Sequence, residues 1–335
     1  MKYVGLALAN ETHKGNQKGN QMQENKQEHF IKNIEIKNFK CFEDFKAEGF
    51  GRVNLIGGKN NVGKTAFMEA CFLGTSMLSE SYESFYSDRF NDGNTDKHLS
   101  DALTILSFHR SPTDFLLNNK ISVPFYTDSK FKINDIVYQC LDGVSINGTI
   151  KTIINNSTFI SMVDVFNQQL VNSIFEIKLL NKEDELNNIL KELFDIEKVD
   201  VIRDEVMFKK REHYVSLNQF GDGIKHFLSI VLTLYLNKNN IVYLDELENG
   251  IHYTNLDKLW EIILTISKQQ NVQVFATTHS KECIESYARV AEELEDKEIT
   301  FFKLGKNRKG EIKGMVYPYD WFIDSIEQEE EVRGW

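Results

Sequence analysis

Residues 58–65 read Gly-Lys-Asn-Asn-Val-Gly-Lys-Thr, and these types at this spacing suit a loop that wraps a chain of phosphates. Gly58 and Gly63 let the backbone curl so that successive N–H groups, those of Asn60, Asn61 and Val62 among them, point inward at an anion. Lys64 can reach the outer phosphates, and the Thr65 hydroxyl is a hard oxygen donor of the kind that sits on Mg²⁺. The elements that must position these groups are legible on either side. Val53-Asn54-Leu55-Ile56 reads as a short buried strand, and Thr65-Ala66-Phe67-Met68-Glu69-Ala70-Cys71-Phe72-Leu73 reads as a helix. The anion would therefore meet a helix N-terminus, with Ala66 in its first turn.

Three more clusters follow later in the chain. The apolar strand Ile241-Val242-Tyr243-Leu244 ends in two carboxylates, Asp245 and Glu246. In an open α/β sheet ligands sit at the carboxyl ends of strands, so these acids would face the phosphates. Asp245 would hold Mg²⁺, and Glu246 would polarise an attacking water. A second apolar strand, Val274-Phe275-Ala276, runs into Thr277-Thr278-His279-Ser280, where His279 could hydrogen-bond the last phosphate or the water. The third cluster is Asn218-Gln219-Phe220-Gly221-Asp222-Gly223, before a helix from about Ile224 to Leu236. By itself it reads as a Gly turn that starts a helix. As a second anion-binding terminus it would be redundant within one chain, and two chains arranged head to tail would each lend it to the other.

Composition bounds the setting. The chain has 335 residues, 41% hydrophobic and 27% charged, with a formal net charge of −11. That length can bury a full core, and that charge argues against coating a phosphate backbone as the main role. Cys41, Cys71, Cys140 and Cys283 are far apart, with no CxxC, and read as reduced thiols of a cytoplasmic protein. No run approaches the roughly 20 apolar residues of a membrane span. Residues 1–29, rich in Asn, Gln, Lys and Glu beyond position 9, read as a disordered leader.

Strands are expected at Asn33–Phe39, Phe42–Lys46 and Arg52–Ile56, ahead of the phosphate loop. Phe131–Cys140 and Val144–Ile150 read as a hairpin about Asp142-Gly143. Residues 163–196 read as helical, Glu183–Phe194 most clearly, and strands return at Val199–Ile202 and His213–Leu217. From Gly223 onward helix and buried strand alternate, which implies α/β units around a mostly parallel sheet. The Phe208-Lys209-Lys210-Arg211 run reads as a solvated turn.

The order of these motifs resembles the ABC-type ATPases, and within them the RecF, SMC and OLD branch. The resemblance rests on Asn33-Ile34-Glu35-Ile36-Lys37-Asn38-Phe39-Lys40-Cys41-Phe42, on Asn60 inside the loop, and on Phe220-Gly221-Asp222-Gly223-Ile224-Lys225. It rests also on Asp245-Glu246-Leu247-Glu248-Asn249-Gly250-Ile251-His252, on Thr277-Thr278-His279-Ser280, and on a tail from Ile326 to Trp335. The last features look like the AAA/OLD-like ATPases of bacterial defence loci. The resemblance implies an α/β P-loop NTPase with an ABC-type head, an N-terminal antiparallel β-subdomain and an inserted mixed α+β lobe. The core would be split between residues 30–75 and 212–335, with the lobe at 76–211.

It implies two subunits sandwiching two ATP molecules. Lys64 and Thr65 would bind phosphate and Mg²⁺, Asp245 would be the metal-holding acid, Glu246 the general base and His279 the switch histidine. Gln219-Phe220-Gly221-Asp222 would contact the partner's last phosphate, and Lys40 would touch the nucleotide near its ribose. The chain departs from the pattern where Gln219 replaces a serine and where no glutamine lies between Val62 and Tyr138. About 55 residues follow His279, too few for the TOPRIM nuclease domain of OLD proteins, so a nuclease effector would be a separate chain. The reading is an Mg-dependent dimeric ATPase that senses for, or regulates, such an effector in defence against mobile DNA. The alternatives are a RecF-type repair ATPase that binds DNA and a nucleotide-gated scaffold with little turnover.

Overall fold

The computed structural model describes residues 30–76, 130–133, 136–139, 157–160 and 167–328. In chain order the strands are β1 (Asn33–Phe39), β2 (Phe42–Glu48), β3 (Val53–Gly57), β4 (Lys130–Ile133), β5 (Ile136–Gln139), β6 (Ser157–Ile160), β7 (Lys198–Ile202), β8 (Glu205–Lys210), β9 (His213–Ser216), β10 (Ile241–Leu244), β11 (Gln273–Thr278), β12 (Ile299–Lys306) and β13 (Ile312–Pro318). The helices are α1 (Lys64–Ser76), α2 (Asn167–Leu179), α3 (Glu183–Phe194), α4 (Asp222–Leu236), α5 (Leu256–Gln270), α6 (Lys281–Glu293) and α7 (Tyr319–Glu327). Among the described residues no helix is long and apolar enough to cross a membrane.

The centre is a 6-stranded sheet in the order β13-β12-β3-β11-β10-β6. β12, β3, β11, β10 and β6 run parallel, and β13 pairs antiparallel on the β12 edge. A parallel strand covered on both faces must be apolar on both, and β3, β10 and β11 are buried throughout. The side chains divide by the period of two. Val242 and Leu244 join the core under α4, α5 and α6. Ile241 and Tyr243 point the other way, toward Phe67 of α1 and Ile34 and Ile36 of β1.

That second face is closed by an antiparallel sheet of order β2-β1-β4-β5. Phenylalanines join the two layers: Phe302 of β12 lies 6.3 Å from Phe45, 5.4 Å from Phe50 and 4.9 Å from Phe67, between ring centroids. The fold is thus the expected α/β head with an N-terminal antiparallel layer.

Several expected elements differ in detail. Phe131–Cys140, expected as one strand, is the antiparallel pair β4 and β5, while Val144–Ile150, the Asp142-Gly143 turn and residues 77–115 lie outside the described residues. β4 and β6, from the stretch expected as an inserted lobe, pair with β1 and β10. The basic run expected as a solvated turn ends β8, with Phe208 fully buried. β13 and α7 were not anticipated.

The head is closed at its base by a buried cation. Arg52 and Asp296 are 3% and 4% exposed and form an ion pair. Arg52 also donates to the Ser267 hydroxyl, to the Leu264 carbonyl at 3.1 Å and to Glu298 at 3.1 Å. One guanidinium therefore ties the start of β3 to α5 and to the α6–β12 connection. Removing one member of such a pair leaves a buried charge without compensation. Arg52→Met is expected to lower the free energy of unfolding by about 3–5 kcal/mol in urea melts, and adding Asp296→Leu is expected to recover part of that loss.

Candidate functional site

The parallel strands deliver the polar clusters to one edge of the sheet. β3 ends in the loop of residues 58–63, β10 ends at Asp245 and Glu246, and β11 ends at His279. Between them opens a cleft of about 530 Å³ lined by Lys40, Asn60, Asn61, Gly63, Lys64, Thr65, Ala66, Glu69, Asp245, Glu246, Thr277 and His279.

The loop shape depends on Gly63, whose φ is +99°, and an added Cβ would stand 2.8 Å from the Cys41 Sγ. Lys64 Nζ donates to the Gly58 carbonyl at 2.9 Å and the Lys59 carbonyl at 3.1 Å, so the loop closes around its own ammonium. Burial lowers the pKa of that ammonium, and the carboxylates of Asp245, Glu248 and Glu246 oppose the shift. Helix α1 has no acidic residue in its first turn, which leaves its positive end free of an internal counter-charge.

Asp245 is 8% exposed and binds the neighbouring strand ends together. Its carboxylate accepts from the Thr277 hydroxyl at 2.6 Å and from the Thr65 hydroxyl at 3.2 Å. Thr277 Oγ1 in turn accepts from the Glu246 N–H at 2.8 Å, and the Leu247 N–H reaches the Thr277 carbonyl at 3.0 Å. Glu246 has a φ of +50°, and Asn249 donates to its carboxylate. The Thr65 hydroxyl and Asp245 carboxylate are adjacent hard oxygen donors, the set that suits Mg²⁺.

Most residues expected from sequence to act together do share this cleft. Val62 turns its side chain into the core at 7% exposure, and so could offer only backbone. Gly58 lies beneath the loop. Gln219, Gly221, Asp222 and Gly223 do not line the cleft: Gln219 ends the 3₁₀ turn Leu217–Gln219, Gly221 caps α4, and Asp222 and Gly223 begin it. Among the described residues a Cβ on Gly221 would meet nothing within 4 Å, so none of them covers this end of α4.

Sequence reasoning missed Glu69 and Thr277. Glu69 lies one turn beyond Thr65 on the same face of α1 and forms an ion pair with Lys40. That i, i+4 spacing was the available signal. Thr277 stood in the histidine cluster but had no role until the strands were paired.

Residues 30–108 and 118–284 match the AAA ATPase domain family. The chain belongs to that family. A curated relative from Helicobacter pylori, described as an ATP/GTP phosphatase, is 26% identical over 332 residues, which covers 78% of this chain and 89% of the relative. Two solved structures are also similar. The crystal structure of the SmcHead bound to the C-winged helix domain of ScpA is 14% identical, covers 89% of this chain and 99% of that chain, and has a TM-score of 0.47. The SMC head domain from Thermotoga maritima is 14% identical, covers 86% of this chain and 98% of that chain, and has a TM-score of 0.43. The protein is an ATPase with a P-loop fold.

Behind the cleft, α4 packs on the turn that follows Asp245. A Cβ on Gly223 would stand 1.8 Å from the Gly250 carbonyl oxygen, so only glycine permits this approach. His226, one turn further along the same face, is 1% exposed, and neither ring nitrogen has a hydrogen-bond partner of normal geometry among the described residues. Burial lowers its pKa, opposed more weakly by the Leu247 backbone and the Glu248 carboxylate. A histidine depressed in the folded state stabilises fully above its unfolded pKa of about 6.5 and loses that contribution as pH falls below it. Between pH 7.5 and 5.5, His226→Leu is therefore expected to lose less unfolding free energy than the wild type, by up to about 1.4 kcal/mol per pH unit. Equal pH dependence in urea melts of the two proteins would contradict this.

Proposed function

We propose that this ATPase hydrolyses ATP in the cleft between the phosphate loop and the ends of β10 and β11, as a head-to-tail dimer. The observation that carries the reading is the convergence of Lys64, Thr65, Asp245, Glu246 and His279 on one cleft while the start of α4 stays outside it. Lys64 and the backbone of residues 58–66 would hold the phosphates, with Gly58, Asn60, Asn61, Val62, Gly63 and Ala66 contributing main chain or shape. Thr65 and Asp245 would hold Mg²⁺, which would neutralise charge on the outer phosphates when bound. Glu246 would orient and deprotonate the attacking water, and His279 would hydrogen-bond the last phosphate or that water. Lys40 would exchange Glu69 for the nucleotide near its ribose. Gln219, Gly221, Asp222 and Gly223 would complete the site of a second copy. The open space at Gly221 supports this arrangement, since a glycine there answers no contact among the described residues.

The resemblance to AAA/OLD-like ATPases of defence loci supports a role as sensor or regulator of a separate effector, which we take to be a nuclease. The net charge of −11 speaks against a DNA-coating role. Phe208 is buried, while Lys209 and Lys210 lie 3.6 Å from Glu197 and 3.7 Å from Asp195, so two of the three cations of the basic run have an acid beside them.

Purified protein is expected to release phosphate from ATP when Mg²⁺ is present. Lys64→Ala is expected to abolish release, and Glu246→Gln is expected to bind ATP without turning it over and to accumulate as a dimer in light scattering. Adding Gly221→Arg should return that dimer to monomer without changing the melting temperature. Wild-type turnover in Glu246→Gln would remove Glu246 as the base.

A further inference from the structure

The turn from Asp245 to Gly250 carries one acid to which the proposed chemistry gives no role. Glu248 does not line the cleft, and its side chain is 11% exposed. Its Oε1 accepts from the His279 backbone N–H at 3.0 Å and lies 3.2 Å from His279 Nδ1. Its Oε2 is buried and has no hydrogen-bond partner among the described residues. A carboxylate is costly to hold in such a place. Capping one backbone N–H would need only a neutral acceptor, such as the Ser280 hydroxyl that caps Cys283 at the start of α6.

We propose that Glu248 is a positioning residue for His279. A carboxylate oxygen 3.2 Å from Nδ1 favours the tautomer that carries the proton on that nitrogen. The ring then offers an unprotonated Nε2 to the cleft. A carboxylate paired with an imidazole sets tautomer and orientation in this way in other hydrolytic sites. The backbone bond adds a second constraint, because it fixes the end of β11 to the same oxygen that orients the ring. The turn that carries Glu248 is held from behind by α4 through the close contact of Gly223 with Gly250, and His226 of that helix feels the Glu248 charge. α4, whose start would meet a second copy, therefore packs on the same turn that carries Glu248 to His279. The charged groups that share the cleft with the ring are Lys40, Lys64, Glu69, Asp245 and Glu246.

The proposal rests on the reading of this cleft as the hydrolytic site, and steady-state phosphate release from ATP separates the two. Glu248→Ala and His279→Ala are each expected to lower kcat by about 10- to 100-fold, with ATP affinity within about twofold of wild type. The double variant is expected to be no slower than His279→Ala alone, because the two side chains act as one unit. Glu248→Gln keeps a neutral acceptor for the His279 N–H, so its melting temperature should match wild type while kcat falls and the pH profile of kcat changes. Wild-type kcat and pH profile in Glu248→Gln, or multiplying losses in the double variant, would overturn the role of Glu248 while Lys64→Ala and Glu246→Gln are inactive. If those two variants also turn over normally, the cleft itself is wrongly assigned and the proposal falls with it.

Discussion

The carboxylate of Asp245 is the interaction on which the site depends. It is nearly buried, and two hydroxyls from different elements converge on it, Thr277 at 2.6 Å and Thr65 at 3.2 Å. A buried acid costs free energy unless it is hydrogen-bonded, and these two hydroxyls supply bonds that offset that cost. Thr277 passes the constraint on, because its hydroxyl oxygen also accepts the Glu246 N–H. One anionic group thus sets the spacing between the first helix after the loop, the acidic strand and the histidine strand. Lys64 feels the same negative field, which opposes the loss of its proton on burial.

The sheet makes this convergence possible. Parallel strands that are apolar on both faces can change character only at their ends, so chemistry collects at one edge. The layer of β1 and β2 covers the far face and brings Lys40 to the mouth of the cleft, while the Arg52 cluster locks the opposite end of β3. The turn from Asp245 to Gly250 then faces two ways. It presents Glu246 to the cleft and Glu248 to His279, and it rests against α4 through Gly250. The approach of α4 to that turn leaves no room for a side chain on Gly223.

Much of this was legible in the sequence for the same physical reason. An apolar run followed abruptly by Gly-Lys-Thr, Asp-Glu or Thr-His is what a buried parallel strand ending at a site must look like, and β3, β10 and β11 were readable from it. Elements without that contrast were harder. β13 has one buried position, Ile312, and is otherwise half-buried or exposed around Gly314, and α7 is short and follows it without a linker. β8 was hidden because Lys209-Lys210-Arg211 suggests solvent, whereas Phe208 on the same strand is in the core. β4 and β6 join two sheets from a stretch whose sequence has no motif, and only pairing with distant strands assigns them. Glu69, Thr277 and Glu248 are near neighbours in sequence of residues that were recognised. The contacts that bring them to the cleft or to His279 span 29 to 32 positions, which no local pattern encodes.

The most direct measurement is Mg²⁺-dependent phosphate release from ATP by Asp245→Asn, taken beside its thermal melt. Asparagine can still accept the Thr277 and Thr65 hydroxyls through its amide oxygen, so the melting temperature should change little. It cannot supply the negative charge that holds a divalent cation, so Mg²⁺-dependent turnover should be lost. Wild-type turnover in a variant that melts like the wild type would contradict the account.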